Sequence, residues 1–313
     1  MQVLFEETDE QHQLSTTQLI SRMNERWGIS THRTTIPADI EVLQQFGFEI
    51  EITKSTQTKY NMISRQFDLP ELKLLIDTVQ ASKFITQKKT ADFVKRLSGL
   101  TSVNYADAIK RNMYSEGKLK QENEKIFYII EAVNEAINLK KKISFYYFTY
   151  DIKKKPKLRN DGKPYIFSPY SLVWNGDYYY MVGYCDKHNN ISSYRIDHID
   201  CQPQILDEDA VIKEDFDVAE FTDTMFHMFD SERRSVTLIC DNTVMDSIIG
   251  KFGIDAQTYA YDMENFRLDV DIAVNHIFYS WVFGFGGLVK ILAPADVRDE
   301  YQQMLKKALD ELG

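Results

Sequence analysis

The stretch from residue 168 to residue 199 constrains the fold of this chain more than any other part of the sequence. It reads SPYSLVWNGDYYYMVGYCDKHNNISSYRIDHI, in which polar turns separate three apolar and aromatic runs. Asn-Gly and Asn-Asn suit the positive φ angles of tight hairpin turns, so the pattern predicts three antiparallel strands. We expect Arg195, Asp197 and His198 on the last strand. Such a meander needs a closed barrel or a sandwich to bury its inner face.

Length, charge and cysteine content narrow the class of protein. A chain of 313 residues predicts two or three domains, and its net charge of −10 argues against a generally basic nucleic-acid binder. Three cysteines without CxxC spacing argue against a disulfide framework and indicate a reducing compartment. No apolar run reaches the ~20 residues of a membrane helix, and the acidic start MQVLFEETDE is not a signal peptide. We therefore expect a soluble cytoplasmic protein without a membrane partner.

Residues 1–65 carry the pattern of a winged helix-turn-helix. The segment STTQLISRMNERW predicts a helix over 15–27, which Ser15 or Thr16 caps and Gly28 ends. After a short turn, a second helix is predicted from about Thr31 to the stop at Gly47. The strand patterns FEIEIT and TKYNMI follow and would form the wing.

The start of the second helix in this motif meets base edges in the major groove of DNA. Arg33 can donate two hydrogen bonds to a guanine edge, and lysines on the wing can contact phosphate. The alternative is a helical interaction module that does not touch DNA. It is supported by nine Asp or Glu against six Lys or Arg in 1–65, and by Pro37 inside the predicted helix. The candidate DNA contacts are His32, Arg33, Thr34, Thr35, Lys54 and Lys59.

Residues 66–139 predict a helical connector. Apolar residues recur at helical spacing over 68–86, 88–100 and 123–139, and the polar stretch YSEGKLKQ predicts a loop between them. The helices would serve as a spacer or as a dimerisation element. Because helix-turn-helix domains commonly act as dimers on two-fold operators, we expect a homodimer.

Residues 140–206 predict a β-rich domain with a basic entry segment. The alternating pattern of KKKISFYYFTYD predicts a strand, and KKKPKLRNDGK follows as a basic loop. From Lys140 to Lys163 there are nine Lys or Arg and two Asp in an otherwise acidic chain. Cations beside aromatic faces suit an anionic ligand with bases, such as a nucleotide or a short single strand. The alternative is a solvated lysine loop beside a structural barrel.

Residues 207–313 predict the element order β-α-β-β-α-β, followed by an amphipathic helix. This order fits a ferredoxin-like unit. The glycines of GFGG do not have a phosphate-loop arrangement, so we interpret them as a helix stop and a tight turn.

The sequence contains no recognised catalytic or metal-binding pattern. Cys185 lies three residues before His188 in a predicted turn, but no second cluster has matching spacing. There is no Walker loop, HExxH or GxSxG motif. We therefore expect neither enzymatic activity nor a bound metal or cofactor.

The order of these features resembles the WYL-domain transcriptional regulators of bacteria. SPYSLVWNGDYYYMVGY is similar to the family's proline-led strand, turn and second strand, and Tyr179-Tyr180-Met181 falls at the name-giving triplet. YRIDHI is similar to the arginine-containing strand that follows. The resemblance implies a multi-domain α+β chain with a winged helix-turn-helix, a helical connector, an Sm/SH3-like WYL β-barrel and a ferredoxin-like WCX extension.

The resemblance also implies a function. The barrel would sense a nucleotide-like or nucleic-acid ligand and thereby alter binding of the chain to a double-stranded DNA operator. The family usually has a second arginine where this chain has His198, which makes anion binding depend on histidine protonation. The alternative function is a single-stranded nucleic-acid-binding accessory module that modulates a partner enzyme. The ligand-side candidates are Tyr147, Tyr170, Tyr180, Arg195 and His198.

Overall fold

The chain is a mixed α+β protein that divides into two compact units, Met1–Asn123 and Glu124–Gly313. No helix within the described residues is long and apolar enough to cross a membrane. The computed structural model describes residues 1–111, 120, 124–213, 216–218, 221 and 233–311.

The first unit opens with the predicted winged helix-turn-helix pattern. Its strands pair antiparallel in the order β1-β3-β2, so β2 and β3 form the wing hairpin. Ser15 caps α2 through a reciprocal capping box with Gln18, and Gly28 ends the helix at φ +65°, as the sequence predicted. The elements are α1 Gln2–Glu7, β1 Leu14–Ser15, α2 Thr16–Trp27, α3 Ile36–Gln45, β2 Ile50–Thr53 and β3 Lys59–Met62.

The second helix of the motif begins later than predicted. It starts at Ile36 rather than near Thr31, and Pro37 therefore lies in its first turn. A proline is comfortable there because the first helical N–H groups have no intrahelical acceptor. Residues 32–35 form the turn that leads into α3, so the DNA-contact candidates of this segment precede the helix.

Three further helices complete the first unit. Apolar side chains of all three pack together, including Leu72, Val94 and Ile109. Helices over 68–86 and 88–100 were predicted, whereas the third was missed because VNYADAIKR carries few large apolar residues. The predicted loop at 114–121 lies outside the described residues, apart from Lys120. These helices are α4 Leu69–Ala81, α5 Gln87–Ser98 and α6 Val103–Arg111.

The second unit begins with α7 packed against a curled antiparallel sheet. The strand order is β10-β4-β7-β8-β9, and β5 and β6 form a separate hairpin. The inner face is aromatic, and the ring centroid of Phe145 lies 5.1 Å from that of Tyr194 and 6.0 Å from that of Phe167. The elements are α7 Ile126–Leu139, β4 Lys141–Phe145, β5 Phe148–Tyr150, β6 Pro156–Leu158, β7 Tyr165–Asn175, β8 Tyr178–Cys185, β9 Asn190–Arg195 and β10 Gln204–Asp209.

The closed Sm/SH3-like barrel is not confirmed. Among the described strands, β9 and β10 are the two edges of an open sheet. The chain beyond β9 reaches back to the chain beyond β4 through an isolated bridge between Tyr147 and Ile199. The third predicted strand was also too long. It ends at Arg195, and Ile196–His198 is a 3₁₀ turn, so Asp197 and His198 lie beyond the strand.

The C-terminal part has the predicted order β-α-β-β-α-β and the final helix. Its antiparallel sheet has the strand order β12-β13-β11-β14, which places the first and third strands in the centre. GFGG follows a helix end, and Gly286 and Gly287 adopt positive φ angles, so their assignment to a stop and tight turn is confirmed. The elements are β11 Arg233–Asp241, α8 Met245–Phe252, β12 Gln257–Ala260, β13 Asn265–Ala273, α9 His276–Phe283, β14 Val289–Ala293 and α10 Ala295–Asp310.

Candidate functional site

Arg195 lies at the end of β9, where its guanidinium group joins an aromatic ring and a buried carboxylate. Its Cζ is 3.4 Å from the ring centroid of Tyr178. Its Nε donates to Oδ1 of Asp197 at 3.1 Å, and its Nη2 donates to Oδ2 at 2.7 Å. A guanidinium group has five N–H donors in a fixed plane. Two of them hold Asp197, and Nη1 donates to no group in the described part of the chain.

The ion pair with Asp197 keeps Arg195 in its charged form. Burial lowers the pKa of Arg195, but the hydrogen bond and the charge of Asp197 outweigh it, so the net shift is upward. The Asp197 side chain is only 1% exposed, whereas that of Arg195 is 24% exposed. The arrangement therefore presents a fixed cation at the surface and keeps its counter-ion inside.

Tyr147 holds the end of β9 through a hydrogen bond to its backbone. Its hydroxyl oxygen accepts a hydrogen bond from the backbone N–H of Arg195 at 3.3 Å. Burial raises the pKa of Tyr147 to about 12, so its hydroxyl is neutral at physiological pH. Its ring centroid lies 5.1 Å from that of Tyr194 and 5.7 Å from that of His198. Tyr147 thus positions Arg195 and also borders the imidazole.

His198 is stacked on an aromatic ring and is held by a backbone carbonyl. Its ring lies 5.3 Å from the Phe148 ring with an interplanar angle of 3°. Its Nδ1 is 3.1 Å from the carbonyl oxygen of Phe148, and this acceptor assigns the proton of the neutral ring to Nδ1. Burial lowers the pKa of His198; Asp197 opposes this shift and Arg195 adds to it. The imidazole is therefore neutral at pH 7 and does not supply the charge of a second arginine.

Of the five ligand-side candidates, Tyr170 lies apart from Arg195. Tyr180 pairs directly with Arg195 in the β8–β9 register, and its ring is buried. Tyr170 instead lies at the β7 bulge opposite Val182 and Gly183. Its hydroxyl donates to the carbonyl of Val211 at 2.7 Å and accepts from the N–H of Lys213 at 3.1 Å, so it anchors the segment after β10.

Sequence reasoning missed the role of Tyr178 and of Phe148. In the β8–β9 register Arg195 is opposite Tyr180, so Tyr178 is its diagonal neighbour on the same sheet face. The alternation of side chains along β8 carried that signal. The contact between Phe148 and His198 joins residues 50 positions apart, and no local pattern predicts it.

The DNA-contact candidates of the first unit are all exposed. Thr35 donates from Oγ1 to the carbonyl oxygen of His32 at 2.8 Å, which stabilises the turn before α3. Lys59 opens β3, and Lys54 directly follows β2 at the start of the wing loop. Contact of these residues with DNA stays a prediction. The exposed candidates are His32, Arg33, Thr34, Thr35, Lys54 and Lys59.

Cys185 and His188 do not combine into a metal site. The thiol of Cys185 is buried, and its Sγ lies 3.3 Å from the hydroxyl oxygen of Tyr194 in the core of the sheet. Across the described ranges, no group of three or more His, Cys, Asp or Glu side chains is placed to hold a metal ion.

Comparisons with known proteins identify two domains in the chain. The family model described as the WYL domain matches residues 128–201, and the model described as the WCX domain matches residues 234–309. No curated protein matches the chain.

Several solved structures are similar to the chain, and two of them match over most of its length. One is proteasome accessory factor B/C (PafBC) of Arthrobacter aurescens, with 16% sequence identity, a TM-score of 0.31, and coverage of 93% of this chain and 43% of that chain. The other is described as a CRISPR Cas-related protein, with 13% identity, a TM-score of 0.41, and coverage of 96% and 78%. The chain thus spans less than half the length of the PafBC structure. At these TM-scores neither likeness supports an argument about function.

Proposed function

Because this chain belongs to the WYL-domain proteins, with a WYL domain followed by a WCX domain, we propose that it is a DNA-binding transcriptional regulator. In this proposal the WYL domain binds a nucleotide-like or nucleic-acid ligand, and the chain is a regulator rather than an enzyme. It would act in the cytoplasm as a homodimer on a double-stranded DNA operator.

The guanidinium group of Arg195 supports the ligand side of the proposal most directly. It is charged, partly exposed and stacked on Tyr178, and its Nη1 has no acceptor among the described residues. Arginine donors bind phosphate strongly because the hydrogen bonds are charge-assisted. A base of the same ligand would stack on an aromatic side chain beside Arg195, which is the usual arrangement in single-strand binding sites.

The DNA side of the proposal rests on the winged helix-turn-helix pattern of residues 1–65. Its exposed turn before α3 carries Arg33, and its wing hairpin carries Lys54 and Lys59. A ligand that prefers one arrangement of the paired winged helices would change the affinity of the chain for its operator. By linkage, operator DNA would change the affinity for the ligand by the same free energy.

Fluorescence anisotropy with matched duplex and single-stranded probes tests this assignment. A duplex enriched from a random library serves as the operator probe, and the same strand alone serves as the ligand probe. We expect Arg33→Ala to weaken duplex binding and Arg195→Ala to weaken single-strand binding only. The control, Arg298→Ala, removes an exposed arginine from α10 and should change neither.

Two outcomes would contradict the proposal. Binding of single strands without any enriched duplex would favour the accessory-module alternative. Unchanged single-strand binding in Arg195→Ala would remove Arg195 from the ligand site.

A further inference from the structure

The hairpin formed by β5 and β6 ends in a loop of defined geometry at residues 151–155. The carboxylate of Asp151 accepts hydrogen bonds from the backbone N–H groups of Lys153 and Lys155, each at 2.8 Å. The backbone N–H of Asp151 donates to the carbonyl of Lys155 at 2.9 Å, and Lys154 takes a positive φ of 59°. The side chains of the loop are thus carried on a fixed backbone rather than on an irregular tail.

One apolar side chain stands at the tip of this loop. Ile152 is 99% exposed, and Tyr150 and Leu158 lower on the hairpin are 53% and 40% exposed. A single exposed apolar residue is ordinary on a protein surface. Here three lysines, Lys153, Lys154 and Lys155, follow it directly in the same loop, and that combination requires a separate explanation.

The hairpin and the chain that follows it are strongly basic. Residues 151–163 contain six Lys or Arg against two Asp, a net charge of +4 in a chain of net charge −10. Acidic side chains pair with Lys141 and Lys142 nearby, but no described residue forms an ion pair with Lys153, Lys154 or Lys155. These three lysines are exposed and available to an external polyanion.

The base of the hairpin is fixed to the candidate ligand site. Phe148 at the start of β5 is buried and stacks on His198, whose Nδ1 donates to the Phe148 carbonyl. At the other strand, the backbone N–H of Arg159 donates to the carbonyl of Tyr147 at 2.8 Å. The hairpin is therefore an arm mounted on the residues that position Arg195.

We propose that this arm binds duplex DNA in a groove, with the lysines on the phosphates and Ile152 inserted between two neighbouring base pairs. A two-stranded ribbon fits a DNA groove, and an apolar wedge flanked by cations is the arrangement that kinks duplexes. The arm is less suited to binding a lipid surface, because interfacial anchoring needs a broad apolar face rather than one side chain. The choice of duplex DNA rests on the proposed function, whereas Ile152 and the three lysines belong neither to the winged helix nor to the candidate ligand site.

A salt titration of duplex affinity separates the contribution of the lysines from that of Ile152. The probe is a fluorescent random-sequence duplex, and the variants of the full chain are Lys153→Gln/Lys155→Gln and Ile152→Ser. Each lost lysine–phosphate contact should reduce the slope of log affinity against log salt by about 0.9, so the double variant should lose about 2 units of slope. We expect its affinity to fall about tenfold at low salt. Ile152→Ser should weaken binding about fivefold without a change in slope, because no ion is released by an apolar contact.

Two controls make the result specific. Lys306→Gln/Lys307→Gln removes the same charge from the exposed face of α10 and should leave the slope unchanged. All substituted residues are exposed, and circular dichroism verifies that each variant is folded. Arg33→Ala, measured in parallel on the enriched duplex, distinguishes the arm from the winged helix: if Arg33→Ala has no effect there and the arm variants still weaken binding to the random duplex, the arm inference stands while the proposed winged-helix contact fails.

Three results would overturn the inference. They are absence of duplex binding by the unmodified chain, equal slopes in the arm variant and the α10 control, and loss of binding to anionic phosphatidylserine vesicles in the arm variants with unchanged duplex affinity.

Discussion

Asp197 and His198 define what the site can and cannot bind. Asp197 uses both carboxylate oxygens to hold Arg195, so an anionic ligand must share the guanidinium group with a permanent internal partner. His198 adds an aromatic surface and no charge at neutral pH. The proposed function therefore requires a ligand with one phosphate that meets Arg195 and a base that meets the rings around it.

The titration of His198 should make the folded state less stable in acid. Its folded-state pKa lies below the ordinary value of 6.5 because the ring is buried, so the unfolded chain binds the proton more readily. Stability should therefore fall as the pH drops through 6.5 and level off once the pH is below the folded-state pKa. His198→Phe retains the stack on Phe148 and cannot titrate.

Urea unfolding of both proteins between about pH 8 and about pH 5 checks this prediction. At neutral pH the variant should lose about 1 kcal/mol, because the hydrogen bond to the Phe148 carbonyl is gone. Toward acid the two curves should converge. Curves that stay parallel across the range would show that His198 does not bind its proton more weakly in the folded state.

Among the elements, β7 and β8 are packed tightly at Gly183. A Cβ at this position would fall on the carbonyl oxygen of Ser168 and 2.8 Å from Cε1 of Phe167. Neither atom can move away, because Ser168 and Phe167 are buried in the same sheet. The absence of a side chain at Gly183 thus allows the aromatic side chains of the inner face to pack against β8.

Gly183→Ala should destabilise the chain by about 2–3 kcal/mol through this steric conflict. The matched control is Gly250→Ala in α8, where a new Cβ meets no atom within 4 Å. That substitution should stabilise the chain by about 0.5–1 kcal/mol, because alanine is the better helix former. Thermal unfolding of the two variants compares them, and equal melting temperatures would refute the close approach at Gly183.

The regular elements were predictable because their signals are local. The Ser15 cap, the Gly28 stop and the alternation along β7 and β8 all act within a few residues, and the elements that these signals predict were found. The strand predicted over 140–151 is instead divided into β4 and β5, and the predicted basic loop after it contains β6. The late start of α3 follows from Pro37, because a proline suits the first turn of a helix and not its interior. The open curl of the sheet and the stack of Phe148 on His198 depend on contacts distant in sequence, which no local pattern encodes.

Over the whole molecule, charge is distributed unevenly in a way that suits a selective binder of nucleic acid. The net charge of −10 disfavours indiscriminate attraction to DNA, while the basic segment at 151–163 concentrates positive charge on one projection. In the proposed complex with DNA, specificity would then come from the few side chains that reach base edges, and Arg33 is the foremost candidate. For the proposed regulator, the decisive property is therefore the ratio of specific to non-specific affinity rather than the affinity alone.

The most direct test is the ratio of dissociation constants for an enriched duplex and a shuffled duplex of the same composition, measured at one salt concentration. A transcriptional regulator of this kind should prefer the enriched duplex by at least about 10³-fold. Arg33→Ala should reduce that ratio, and Arg195→Ala should leave it unchanged when no ligand is present. A ratio near one for the unmodified chain would contradict its assignment as a sequence-selective regulator.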